Sequence, residues 1–217
     1  MTASLTSVNV GVPKTVQWRG QAVTTGIVKS PVEGPIALRR HNLDGDQQAD
    51  LSVHGGPTKA VYVYPTEHYA FWRSELPDVA FGWGHFGENF SVEGLEERSM
   101  FIGDEYRVGT ARVVVTEPRM PCFKLGIRFE MADMLKRFLQ SGRSGFYFGV
   151  VKEGEVQAGD TLEQLSTHPD RLTIADVTDL YTTEKGNVAL LRKAIGATAL
   201  PDSWKGYFAK QLVKLER

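Results

Sequence analysis

ARVVVTEPRMPCFKLG, residues 111–126, is the stretch on which the reading of this chain turns. Ala111 to Thr116 sets three consecutive valines before a threonine, and β-branched side chains fit a pleated, half-buried surface, so this is the strongest strand signal in the sequence. Pro118 ends it. The segment EPRMPCFKLG, from Glu117 to Gly126, is therefore expected as a loop leaving a strand end, where a rigid scaffold commonly presents reactive side chains. It carries Cys122, the only cysteine among 217 residues, between Arg119 and Lys124. Structural cysteines usually lie inside apolar elements as small hydrophobes. Cations close to a sulfur favour the thiolate, the form that attacks electrophiles and binds metals.

Outward from this strand, the first 165 residues hold many short β-type segments. Ser7 to Val10, Thr15 to Trp18, Val23 to Ile27 and Ile36 to Arg39 are separated by turn signals such as Arg19-Gly20 and Glu33-Gly34-Pro35. Ala60 to Tyr64 reads as a buried strand. Pro65 presets a first helical position, and Tyr69, Trp72 and Leu76 repeat at helical spacing up to Pro77. Alternation returns at Glu88 to Val92 and Glu105 to Val108. Met131 to Gln140 has helical periodicity, Phe146 to Val151 is a strand, and Gly159-Asp160 turns the chain before Leu162 and Leu165. Many strands with few helices predict a mostly β domain with helices, built as a barrel or curled antiparallel sheet over residues 1–167. The composition changes at His168-Pro169. Thr173 with Asp176 resembles a capping box, Asn187 can cap VALLRKAI before Gly196, and Pro201 opens a helix carrying Trp204, Phe208, Leu212 and Val213. Three short helices bury little alone, so residues 168–217 are expected as an appendage docked on the β domain or on a second copy.

Composition narrows the function classes. The chain is 41% hydrophobic and 24% charged, with 25 basic and 26 acidic side chains, so no general attraction to nucleic acid or anionic membrane is expected. Any anion site must be local. One cysteine excludes an intramolecular disulfide framework and a Cys-rich zinc site, and scattered histidines offer no familiar ligand spacing. MTASLTSVNVG has neither a basic nor an apolar signal region, and no apolar run approaches the ~18 residues of a spanning helix. The reading is a cytoplasmic protein.

A second dense stretch, GDQQADLSVHGGPTKAVYVYP, spans Gly45 to Pro65. His54, Gly55, Gly56 and Pro57 form a tight-turn signal before Thr58 and Lys59. Adjacent glycines let backbone N–H groups approach a ligand, Lys59 adds a point charge and Thr58 a hydroxyl, which together suit an anion cradle. Turn chemistry alone is equally met by a solvated lysine and a structural histidine. The carboxylate pairs Glu96-Glu97 and Asp104-Glu105 read as solvated loop or turn charges. Trp72, Trp83, Phe86 and Phe90 serve either as core or as the wall of a pocket for planar bases. His85 reads as structural, and His68 and His168 suggest no ligand cluster.

Taken together, the two stretches resemble the MOSC family, named for the C-terminal domain of molybdenum cofactor sulfurases. The likeness runs from about Val28 to Leu165, with GENF, IGDEYRVG and GVVKEGEVQAGD in the family's order. The tail from Thr173 resembles the three-helix appendage of the bacterial branch that reduces N-hydroxylated bases such as 6-hydroxylaminopurine. The resemblance implies a MOSC-type β-barrel binding molybdenum cofactor, a phosphate-bearing pterin dithiolene (molybdopterin), with Cys122 as the protein ligand to molybdenum and the catalytic cysteine. It implies cofactor contacts from His54, Gly55, Gly56, Thr58, Lys59 and Asn89. Arg119 and Lys124 would balance the cofactor's negative charge. Related amidoxime-reducing proteins carry an arginine-proline pair before the asparagine, whereas this chain has Gly87-Glu88, so their substrate scope does not transfer.

The implied reaction is two-electron reduction of the N–O bond of a small N-hydroxylated substrate. The chain has no GxGxxG fingerprint and no cysteine set for a cluster, so an external flavin or iron–sulfur reductase is the implied electron donor. Relatives suggest a homodimer joined through the appendage. Two other classes compete: a carrier that holds molybdenum cofactor or sulfur without turnover, and a metal-free thiol reaction with Cys122 as nucleophile and His54 as base.

Overall fold

The computed structural model describes residues 3–50 and 55–217. In chain order its elements are β1 (Ala3–Val10), β2 (Lys14–Trp18), β3 (Gln21–Thr25), β4 (Ser30–Pro31), β5 (Ile36–Leu38), β6 (Val61–Pro65) and α1 (Glu67–Glu75). There follow β7 (Phe90–Glu93), β8 (Glu105–Val108), β9 (Ala111–Pro118), α2 (Lys124–Phe129), α3 (Met134–Ser141), β10 (Phe146–Lys152), β11 (Gly154–Val156) and β12 (Thr161–Ser166). The helices α4 (Ile174–Thr182), α5 (Val188–Gly196) and α6 (Asp202–Leu215) complete the chain.

Seven strands close into a barrel in the order β12, β8, β9, β10, β6, β7, β1, and β1 returns to β12 through Ala3 opposite Leu162. All pairs are antiparallel except β6 with β7. Closure leaves few free strand edges. The alternation seen in the sequence sets the register. Ala111, Val113 and Val115 of β9 are buried while Arg112 is exposed, with Val113 opposite Val150 and Val115 opposite Phe148. Each buried valine contributes roughly 1.5–3 kcal/mol. Two small ribbons, β2 with β3 and β5 with β11, stand beside the barrel.

The three C-terminal helices pack into the same apolar cluster as the barrel: Ile174, Val177, Leu180 and Trp204 join Val113 and Phe148. Thr173 and Asp176 make the expected capping box, with Asp176 N donating to Thr173 Oγ1 at 2.9 Å and Thr173 N to Asp176 Oδ2 at 3.0 Å. Asn187 caps α5 through Leu190 N at 3.0 Å. A second cluster of Tyr64, Tyr69, Trp72, Phe86 and Phe138 gathers β6, α1, the 81–86 loop and α3.

Several expectations are corrected. The cysteine stretch is only partly loop, because Leu125 N donates to Cys122 O at 2.9 Å and α2 starts at Lys124. The helix expected from Met131 starts at Met134, since Glu130 adopts a left-handed φ of 54° that ends α2 and forces a new start. Strand β1 starts at Ala3, its polar residues being carried by pairing with β7. The carboxylate pairs split. Glu96 is exposed, but Glu97 is buried with both oxygens 2.8 and 3.0 Å from His68 Nε2, and it accepts from Gly145 N at 2.7 Å. Asp104 is buried and accepts from Gln164 Nε2 of β12 and from His168 N in the segment that follows, both at 2.7 Å; burial raises its pKa. A run of two acids does not reveal which member faces inward.

Candidate functional site

Strand β9 ends at Pro118, opposite Phe146 of β10, and delivers Arg119 and Cys122 to one end of the barrel. Gly149 of β10 lets the segment before β6 lie close, since a Cβ there would stand 2.6 Å from Pro57 O. Gly55 and Gly56 turn that segment with φ values of 92° and 85°, a region that favours glycine. Lys59 N donates to Gly56 O at 3.1 Å and closes the turn.

These two segments, the stretches 25–29 and 46–49 and the residues just before β7 line an open cleft. Six of the nine residues singled out in the sequence line it: Gly55, Lys59, Asn89, Arg119, Cys122 and Lys124. Cys122 is half-buried. Gly56 continues the turn, and Thr58 braces it, its hydroxyl donating to Glu117 Oε1 at 2.8 Å while its carbonyl accepts from Thr116 Oγ1 at 2.6 Å. His54 lies outside the described residues.

Arg119 is 6% exposed, and its guanidinium stands 5.2 Å from the ring centre of Tyr62 and 5.0 Å from that of Phe138. Nη1 is buried without a hydrogen-bond partner among the described residues. A buried cationic donor left unpaired is costly, and an anion in the cleft would remove that cost. Tyr147 also lines the cleft, within electrostatic reach of Cys122; desolvation pushes its hydroxyl up to about 12 although Arg119 pulls the other way.

Asn89 is a floor rather than a free hand. Its Oδ1 accepts from Tyr62 N at 3.1 Å, and its Nδ2 donates to Asn9 O at 3.2 Å and to Asp46 Oδ2 at 3.0 Å. Asp46 in turn pairs with Lys29 and accepts from Gly11 N at 2.9 Å. Burial lowers the Lys29 pKa, and Asp46 opposes that shift. Both residues line the cleft, and sequence reasoning missed them, treating Asp46 only as part of a turn. A lone lysine ending the apolar run Ile27-Val28 was the available signal.

The preceding Glu88 anchors the loop that carries Asn89. It is fully buried and accepts from Tyr69 OH, from Ser91 Oγ at 2.9 Å, and from the amides of Gly84 and Phe86 at 2.8 and 3.0 Å. Desolvation raises its pKa against those bonds. Of the four aromatics weighed as a pocket wall, Trp72, Phe86 and Phe90 are buried in the apolar clusters; Phe86 alone of the four also reaches the cleft.

The model of the MOSC domain matches residues 50–163, which include the glycine turn, Asn89 and Cys122. The chain belongs to the MOSC family. This MOSC protein is 39% identical over 98% of its length to 96% of YflK from Bacillus subtilis (strain 168). It is 33% identical over 84% of its length to a protein of Gibberella moniliformis (strain M3125 / FGSC 7600) named a reductase, of which it spans 32%. The crystal structure of YiiM from Geobacillus stearothermophilus superposes with a TM-score of 0.80 at 35% identity, covering 97% of this chain and 99% of that one. The β-barrel with its helices is thus shared across the full length. No helix among the described residues is long and apolar enough to cross a membrane.

Proposed function

We propose that this MOSC protein is a cytoplasmic, molybdenum-cofactor-dependent reductase of N-hydroxylated compounds of the hydroxylaminopurine type. The observation that carries the reading is the pairing in one cleft of a half-buried thiol with a buried guanidinium whose Nη1 has no partner among the described residues. The donor set fits a phosphate-bearing pterin dithiolene. Cys122 offers one soft ligand, Arg119, Lys59 and Lys124 offer positive charge, and the Gly55-Gly56 turn offers close backbone approach. Among the described residues no group of three or more His, Cys, Asp or Glu side chains stands ready to hold a metal alone, so further ligands would come from the cofactor.

When bound, the cofactor supplies a two-electron redox centre. Two electrons and two protons convert R–NHOH to R–NH2 and water, and an external flavin or iron–sulfur reductase would return the electrons. Cys122 fixes the reacting end of the cleft and the cations hold negative charge. The Asn89–Asp46–Lys29 network keeps the floor rigid through bonds that need no ligand. The relative named a reductase supports oxidoreductase chemistry. In this reading the barrel, residues 1–167, binds the cofactor, and the appendage, residues 168–217, adds the helices and a dimer contact.

The test is reduction of 6-hydroxylaminopurine by chemically reduced protein from a cofactor-competent host. Wild type is expected to yield adenine, and Cys122→Ala to fall to background. Equal turnover in both would remove Cys122 from the chemistry. A loaded protein that does not turn over but activates a cofactor-free enzyme would establish the carrier class instead.

A further inference from the structure

A second groove, about 760 Å³ and open to solvent, runs between the barrel and the C-terminal helices. Its walls come from three sources: Glu117 and Met120 at the end of β9, Tyr181 of α4, and Trp204 and Tyr207 of α6. It shares Lys59 and Tyr147 with the cysteine cleft, so the two spaces are neighbours across a pair of side chains.

The chemistry of the groove differs from that of the cleft. Tyr181, Trp204 and Tyr207 form a three-ring corner, with centroids 5.8 Å apart at 85° for Tyr181 and Trp204, and 6.3 Å at 84° for Trp204 and Tyr207. Tyr207 is 42% exposed, so part of this corner is open to a visitor. The Glu117 carboxylate is 4% exposed and is already oriented, accepting from Trp204 Nε1 at 3.0 Å and from Thr58 Oγ1 at 2.8 Å. A carboxylate has about four acceptor sites, so Glu117 retains capacity for another donor. Lys59 Nζ stands 3.9 Å from Oε2, the oxygen that accepts from Trp204 Nε1, and lines both the groove and the cleft. Flat apolar faces beside an oriented acceptor suit a planar heteroaromatic ring that carries N–H donors.

We infer that this groove is the base subsite of the enzyme: it holds the planar ring of an N-hydroxylated base against Tyr181, Trp204 and Tyr207, with Glu117 accepting from a ring or amino N–H. The N–O end then lies toward Lys59, Tyr147 and the cysteine cleft. The inference rests on the reductase reading for the identity of its occupant. It makes the C-terminal helices part of substrate selection, and it moves the wall for planar bases from the residues the sequence suggested to residues of the appendage.

The experiment measures adenine binding by equilibrium dialysis on the full cofactor-loaded chain, alongside KM values for 6-hydroxylaminopurine and for hydroxylamine, which has no ring. Two variants act on the groove. Tyr207→Ala removes a half-open ring, and Ser203→Trp fills the space from an exposed position without removing any packing. Each is expected to weaken adenine binding and raise KM for 6-hydroxylaminopurine by roughly tenfold, with molybdenum content and KM for hydroxylamine unchanged. Cys122→Ala is expected to keep adenine binding. Absence of adenine binding in wild type, equal effects on both substrates, or a Tyr207→Ala protein that only changes from dimer to monomer would overturn the subsite. Because dialysis needs no turnover, groove-dependent adenine binding without N–O reduction would remove the reductase reading and leave the subsite standing.

Discussion

Two aromatic clusters flank the barrel, and they differ in what their ring faces meet. In the cluster around α1, Trp72 is 1% exposed, lies parallel to Phe138 at 6.1 Å and 8°, and donates its Nε1 to Tyr64 OH at 2.7 Å. Trp72 there meets protein on all sides. In the cluster around α6, Trp204 also stacks on a phenylalanine, Phe208 at 5.6 Å and 29°, but its neighbour Tyr207 is exposed and its Nε1 turns to a carboxylate at the groove floor. The same residue types thus serve as core in one place and as an open wall in the other. What separates them is what lies beyond: α2, α3 and the 81–86 loop pack against the first cluster, whereas Tyr181, Trp204 and Tyr207 of the second border an open groove.

The difference predicts unequal costs. Trp72→Ala opens a cavity in a sealed cluster and strands the Tyr64 hydroxyl, so it should lower unfolding free energy by about 3–5 kcal/mol in urea titration. A loss under about 1 kcal/mol would show that the cluster is not sealed. The same cluster contains a pH handle in His85, whose ring packs on Phe129 at 4.8 Å and whose Nδ1 lies 3.3 Å from Arg128 Nη2. Burial first, and then the Arg128 charge, lower the His85 pKa from 6.5 to about 4. The unfolded chain therefore binds this proton at a higher pH than the folded one. Its contribution is complete above pH 6.5 and lost as pH falls from 6.5 towards 4, and after solvent screening it amounts to about 2 kcal/mol. Wild type should lose that much more stability than His85→Gln between pH 7 and pH 4; parallel curves would contradict the assignment. At the small end, Tyr207→Ala should change stability by less than about 0.5 kcal/mol, because the ring is already half in water. A larger loss would make Tyr207 a core residue and weaken its role as a ligand wall.

Much of the barrel was legible because several strands alternate clearly and ARVVVT is rich in β-branched residues; the register between strands comes from the structure. The helix caps at Thr173 and Asn187 were equally readable, since a side chain at a fixed offset performs the capping. The site was legible where it depends on residue type and backbone freedom, as at Cys122 and the Gly55-Gly56 turn. It was not legible where it depends on closure of the barrel. Lys29 and Asp46 meet across 17 residues of sequence, Asn9 and Asn89 across 80, and nothing local announces either meeting. Thr58 was singled out because its hydroxyl follows the glycines, and its bond to Glu117, 59 residues away, is of the same long-range kind. The choice between core and pocket wall for Trp72, Trp83, Phe86 and Phe90 stayed open for the same reason: spacing shows that Trp72 faces something apolar, without showing whether that surface is a core or a groove, and the structure buries Trp72, Phe86 and Phe90.

If the cysteine cleft holds the cofactor, molybdenum and pterin content reports it directly. Wild type and Cys122→Ala would be purified from one cofactor-competent host, with a second molybdoenzyme as the control for competence. Near-stoichiometric molybdenum with pterin is expected in wild type, with loss of molybdenum from a Cys122→Ala protein that keeps its fold. Wild type free of both, from a host whose control enzyme is loaded, would contradict a cofactor site in the cleft.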